Sequence, residues 1–475
     1  MTSIVQRAKV NASSHLLVLT NKFNNEFGLP EKVNDYFVAE LKKEGVKNLT
    51  YNYIGKHITI FIVDSKKNEH ELAEQIRKQG AAVADAVNAL KGSEIYIYNQ
   101  TKKADLSLYA AEGAALGNYS FDKHKTGDKV HKESVQTIII AQTKINPVKL
   151  SELNHVIEAT CIARDLVNEP VNHLNAGELA NVFKKLGKSA GFNVEVWNKK
   201  QIVANKMGGL LAVNAGSVDE PTFTIMEYKP RGAKNKKPLV LVGKGVVYDT
   251  GGLSLKPTAN SMDLMKCDMA GAATVGCAIY AIAKSKLKIH VIALVPATDN
   301  RPGFNAFAPG DIITMMDGST VEMLNSDAEG RMILADALHY AKRYNPELTI
   351  DVATLTGAAA AAIGTQGLVG MGNASQRYLN KLVESGMRVN EKVALFPFWN
   401  EYADLLKSDI ADQKNLGGPQ AGSITAGKFL EKFTNYPYIH LDIAGPAFLS
   451  AKEAYRTKGG SGVGVRLLFD FLKNK

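Results

Sequence analysis

The chain has 475 residues, 45% hydrophobic and 22% charged, with a net charge of +10; at roughly 150 residues per domain this is a globular protein with several cores, and a disordered, collagen-like or small stapled chain is excluded. No apolar run approaches the roughly 20 residues that cross a bilayer, residues 1–7 lead into no signal-type stretch, and the three cysteines, Cys161, Cys267 and Cys277, are scattered and odd in number, so buried thiols in a cytoplasmic protein without membrane contact are expected. The basic excess is spread along the chain with no basic arm and no nucleic-acid motif, which favours solubility over a nucleic-acid partner and leaves open a patch formed in three dimensions.

In chain order, residues 16–19, 58–63, 95–98 and 137–141 are short apolar runs that read as strands, and residues 31–43 and 69–90 carry apolar side chains at helical spacing. They imply a small amino-terminal α/β domain with no catalytic cluster of its own. Residues 150–167 read as a connecting helix, and the domain with this helix is placed at residues 1–165. From 166 to 475 continuous apolar strands alternate with helices: residues 194–197, 223–228, 239–242, 289–295, 348–353 and 438–443 are the strands. Strands buried on both faces have this character, so the expected fold is a larger catalytic α/β domain with a central, mostly parallel sheet flanked by helices. Ligands bind beyond the carboxyl ends of such strands.

Three clusters hold the candidate chemistry. The first, at residues 243–257 after a buried strand, places Lys244, Asp249 and Lys256 in a glycine-rich turn, which fits no phosphate-loop pattern and could be a plain surface turn. The second opens a small-residue helix expected over residues 262–284, with Asp268 inside it; a buried carboxylate there needs a cation or several donors. The third, NSDAEGR at residues 325–331, precedes a helix expected over 332–342. Ser326 and Glu329 match the S-x-x-E capping box, while Asp327, Glu329 and Arg331 could instead converge on one cleft. Asp249, Asp268, Asp327 and Glu329 gathered in one place would repel each other, and two divalent cations would cancel their charge. No HExxH pair occurs, and His339 and His440 are read as structural.

These segments resemble the leucyl aminopeptidase family of two-metal cytosolic exopeptidases. Residues 325–331 differ from the family signature NTDAEGR only at Ser326, residues 243–256 resemble its first metal-binding segment, and further likeness lies at residues 168–172, 351–357 and 440–445. The resemblance spans roughly residues 165–470. It implies one metal held by Lys244, Asp249, Asp268 and Glu329 and another by Asp249, Asp327 and Glu329, with manganese, zinc or magnesium as the ions. It further implies Lys256 as the catalytic lysine, Arg331 holding a bicarbonate ion that serves as general base, and Met265, Thr354, Gly357 and Ala444 lining the pocket for the first side chain. The implied activity is release of amino-terminal residues, leucine and other apolar ones preferred, from short peptides by attack of a metal-bridging hydroxide, in a homohexamer. Lys244 can ligate only as the neutral amine. Ala270 and the stretch 460–464 depart from the family pattern and leave fine substrate preference open.

Two rival readings remain. One is a relative that has lost catalysis and acts as a scaffold or nucleic-acid binder, against which all five ligand positions are retained. The other is a two-metal phosphoesterase, which calls for extra phosphate-binding arginines or a histidine-rich site, and neither is visible in the sequence.

Overall fold

A computed structural model of the chain describes residues 2–7, 15–26, 29–43, 45–53, 55–64, 66–127, 130 and 134–475. The chain forms two compact units, residues 1–161 with 451–458, and residues 162–450 with 459–475. The change of unit therefore falls within the helix Pro147–Asn168, and a short late segment returns to the first unit. Both units are α/β.

The first unit is built on a six-stranded sheet in the order Ser3–Arg7, Thr137–Ala141, Glu94–Asn99, His15–Thr20, Lys56–Ile62 and Asn48–Tyr53. All neighbours are parallel except the last pair. Alternate side chains feed two cores. Leu17, Leu19, Ile95, Ile97, Ile138 and Ile140 pack with the helices Glu69–Ala89 and Leu106–Gly117, while Leu16, Val18, Tyr96, Tyr98 and Ile139 pack with Val33 and Phe37 of the helix Glu31–Leu41. Burial of both faces is why these strands read as unbroken apolar runs.

The second unit holds a nine-stranded sheet in the order Val393–Leu395, Leu368–Gly372, Tyr438–Asp442, Leu348–Ala353, Leu239–Gly243, Val291–Asn300, Thr222–Tyr228 and Asn193–Trp197, with Gly245–Asp249 added beside the far end of Val291–Asn300. The central strands Tyr438–Asp442, Leu348–Ala353, Leu239–Gly243 and Val291–Asn300 run parallel, as does Gly245–Asp249. Thr222–Tyr228 is antiparallel to both of its neighbours. One face is covered by a core that includes the helix Gly330–Ala341, and the helix Ala270–Lys284, buried from Ala270 to Ala283, packs against the central strands. Among the described residues no helix is long and apolar enough to cross a membrane.

The expected helix over 262–284 is two elements. A 3-10 turn, Met262–Cys267, ends before Asp268, and the α-helix begins at Ala270. The cause is a close approach: the Ala272 N–H donates to the Lys244 carbonyl at 2.9 Å, and a Cβ on Gly271 would stand 2.0 Å from the Val352 oxygen. The helix start is thus pressed onto the strand ends, and Asp268 is left at the break.

Candidate metal centre

Five polar residues sit at or just past the carboxyl ends of strands in the second unit: Lys244, Asp249, Asn300, Thr354 and Asp442. Two helix starts face them, one following Asp268 and one capped by Glu329. Helix amino ends favour negative charge.

The arrangement centres on Lys244, which is buried. Its Nζ lies 2.8 Å from both Asp268 oxygens and 3.0 Å from Glu329 Oε1, and it donates to the Thr354 carbonyl at 2.9 Å. Burial opposes the ammonium, but Asp268, Glu329 and Asp249 outweigh it and hold its pKa above the usual lysine range. Lys256 bridges the other side: its Nζ is 3.0 Å from Asp249 Oδ2 and also pairs with Asp327 Oδ1, and these carboxylates raise its pKa against the effect of burial. Lys244 lies directly across Gly330, where a Cβ would stand 2.4 Å from the lysine Cε and would displace the end of that side chain.

Asp249, Asp268 and Glu329 each bring an oxygen within 4.8 Å of the others, all three buried. Burial first, and the Asp249 charge with it, push the Glu329 carboxyl up to about 8 and Asp268 up to about 6. Glu329 Oε2 meets no hydrogen-bond donor among the described residues. Asp327 is more open, its side chain 32% exposed, and it joins the group through Lys256. Such a cluster is short of positive charge.

Arg331 is buried; its Nη1 donates to the Asn415 carbonyl at 2.6 Å, and its Nε has no acceptor among the described residues. Burial pushes its pKa down to about 10, with Glu329 and Asp442 working against that. Thr354 is buried, its hydroxyl donating to Asp268 Oδ1 at 2.7 Å. Met265 is in the 3-10 turn before Asp268, half-buried, and Gly357 opens the helix Gly357–Ile363 with nothing within 4 Å of where its Cβ would be. Asp442 links this loop to Ala444, accepting from Leu355 N–H, the Thr356 hydroxyl and Ala444 N–H.

The capping box at 326–329 does not form. Glu329 itself occupies the cap position with no side-chain bond, and the Ser326 hydroxyl donates to the Gly251 carbonyl at 2.7 Å and accepts from Ser254 N–H at 2.7 Å, stitching the first cluster to the third. His440 is fully buried against Asp351. Residues that sequence reasoning missed are Asn300, whose amide donates to Asp249 Oδ1 at 2.9 Å, Asn415 and Asp442. For Asn300 and Asn415 the signal that could have found them is their place at or near strand ends, whereas Asp442 lies within the segment 440–445 already singled out in the sequence.

Buried carboxylates and lysines at the strand ends of a doubly covered sheet make a ligand site with the donor set of a divalent-cation centre. The catalytic-domain profile of the cytosol aminopeptidase family matches residues 161–469. A probable cytosol aminopeptidase of Chlorobaculum tepidum is 47% identical over 430 residues, covering 85% of this chain and 84% of the relative, and one of Clostridium perfringens is 39% identical over 494 residues, covering 99% of each. Among solved structures, the bottromycin maturation enzyme BotP in complex with Mn superposes with a TM-score of 0.83 at 28% identity, covering 97% of this chain and 99% of that one. A mutant of tomato leucine aminopeptidase gives 0.86 at 27% identity, covering 100% and 97%. The chain belongs to the cytosol aminopeptidase family, and it is a metallo-aminopeptidase. The scaffold reading is not favoured.

Proposed function

We propose that this aminopeptidase holds two divalent cations, one at Lys244, Asp249, Asp268 and Glu329 and the other at Asp249, Asp327 and Glu329, and releases leucine and other apolar residues from the amino ends of short peptides. The observation that carries the reading is the set of buried carboxylates with oxygens within 4.8 Å of each other and one oxygen, Glu329 Oε2, lacking a donor among the described residues. The residues fit such ions. A mainly oxygen donor set without thiolates suits manganese, zinc or magnesium. When bound, the ions supply Lewis acidity that activates water and polarises the scissile carbonyl.

The chain's own groups supply the rest. Lys244 would ligate as the neutral amine, a form that neighbouring divalent cations would favour and that the bare carboxylates oppose. Lys256, 15% exposed at its side chain, keeps its proton and offers a cation to the oxyanion that develops on the substrate carbonyl. Arg331, with a buried Nε that has no acceptor among the described residues, is the residue that would hold a bicarbonate ion, and such an ion would supply a general base there. Met265, Thr354, Gly357 and Ala444 bound the space for the first side chain, and their uncharged surfaces disfavour acidic residues, which would lose hydration without gaining a partner. The same reading places the protein in the cytoplasm as a homohexamer.

A panel of aminoacyl amides assayed after chelation and after adding back manganese tests this. Loss of activity with chelator, recovery with manganese or zinc, and faster cleavage of leucyl than glutamyl amides are expected. Full activity in rigorously metal-free protein would overturn the reading.

A further inference from the structure

We infer that Asn300 is a positioning residue for the cation site: its carboxamide ties Asp249 to the Ser326 carbonyl and so fixes the two carboxylate-bearing segments against each other. Asn300 is fully buried at the end of the strand Val291–Asn300, beside Asp249 at the end of Gly245–Asp249. Its Nδ2 donates to Asp249 Oδ1 and to Ser326 O, both at 2.9 Å. Both partners accept, so the amide can face them only with its NH2. The main-chain carbonyl of Asn300 is held in turn by Thr250, whose N–H and hydroxyl donate to it at 3.1 and 2.8 Å, while the side-chain Oδ1 meets no donor among the described residues.

The effect on Asp249 is directional. Asn300 Nδ2 and Gly251 N–H, the latter at 2.8 Å, together occupy Oδ1 and leave Oδ2 turned to the cation side, 3.0 Å from Lys256. The effect on the other segment is spacing. Asn415, also fully buried, donates through Nδ2 to the Asn325 carbonyl at 2.8 Å, so two successive carbonyls, those of Asn325 and Ser326, are gripped by two buried carboxamides just before Asp327 and Glu329. Only Asn300 also touches a carboxylate of the cluster. Outer partners of this kind set the orientation of metal-binding groups, and their loss costs roughly 10- to 100-fold in metal affinity.

The inference rests on the cation reading above, and its test separates the two. Full-length protein stripped with chelator is titrated with Mn2+ by calorimetry, alongside Asn300→Leu, which keeps the volume and loses both donors, and Asn300→Ser. The wild type is expected to take two ions, and the variants to bind Mn2+ at least tenfold more weakly while the metal-free chains still melt cooperatively. Should Asn300→Leu fail to fold, Asn300→Ser carries the comparison. A lower metal-free melting temperature with unchanged Mn2+ affinity would mean Asn300 only packs, and would overturn the inference while leaving the cation reading intact. A wild type that binds no Mn2+ overturns both.

Discussion

Lys244 and Lys256 have the same side chain and opposite assignments, and the difference lies in what surrounds each ammonium. Lys244 is enclosed by Asp268, Glu329 and the Thr354 carbonyl, whereas Lys256 reaches Asp249 and Asp327 from a more open position. Lys256→Ala should therefore lower turnover by about 100-fold or more, the effect of losing an oxyanion donor worth roughly 2.7 to 4 kcal/mol, with metal content by elemental analysis unchanged. Arg331→Ala should cost less, and bicarbonate should stimulate the wild type more than the variant; equal stimulation rejects the anion role. The proposed ligands stood out in the sequence because three short motifs concentrate them. Asn300 and Asn415 did not, because a single polar residue at a strand end carries no periodicity and is informative only once the partner segment, far off in the chain, is known.

At the scale of elements, glycines record where backbones meet. Gly330→Ala would press on the Lys244 side chain, which can shift, whereas Gly271→Ala would press on the Val352 carbonyl, which cannot. The first should reduce activity at least tenfold with little change in the urea midpoint, and the second should destabilise the fold by about 1–3 kcal/mol; the reverse pattern would show that Lys244 is not held by this contact. The same contacts explain where sequence reading erred. Composition alone carries residues 262–284 as one helix, and only the sheet beneath it breaks the run at Asp268. Strands Ser3–Arg7 and Asn48–Tyr53 passed unseen because both are edges of their sheet, where one side meets solvent and the apolar run thins out.

The neighbouring strands Leu348–Ala353 and Tyr438–Asp442 also set a pH dependence. His440 Nδ1 lies 2.8 Å from Asp351 Oδ1, and Tyr438 donates to the same carboxylate. Burial works against the imidazolium, yet the Asp351 charge and hydrogen bond prevail and raise the His440 pKa. A raised pKa in the folded state gives stability that is complete below the unfolded value of about 6.5 and is lost as the pH climbs through the folded one. Urea melts of chelated protein from about pH 6 to 9 should therefore show stability falling toward the alkaline side, with a shallower fall in His440→Gln. Identical slopes would show that this pair does not titrate in that range.

Across the whole molecule, the basic excess that the sequence scatters is partly regathered. Exposed Lys229, Arg231, Lys234, Lys236, Lys237, Lys286, Lys288 and Arg343 cluster by the starts of the central strands of the second unit, the Lys234 N–H bonding the Lys288 carbonyl and Lys288 the Arg231 carbonyl, at the ends opposite the carboxylates. The two kinds of charge are kept a sheet's length apart, which no count of residues along the chain reveals. The proposed hexamer belongs to this scale too. Light scattering in moderate salt should give about six times 51.4 kDa, and a stable monomer at assay concentration would contradict the assembly.

The open space around Gly357 makes that position a natural handle for redesign. Unlike Gly330 or Gly271, it has open space where a Cβ would stand, and it begins a helix beside a loop that Asp442 already anchors. Diversifying Gly357 alone leaves the sheet, the cores and the carboxylates untouched. On the proposed reading of the pocket, a library built there should change first-residue selectivity across a panel of aminoacyl amides, and unchanged selectivity would show that Gly357 does not border the first side chain.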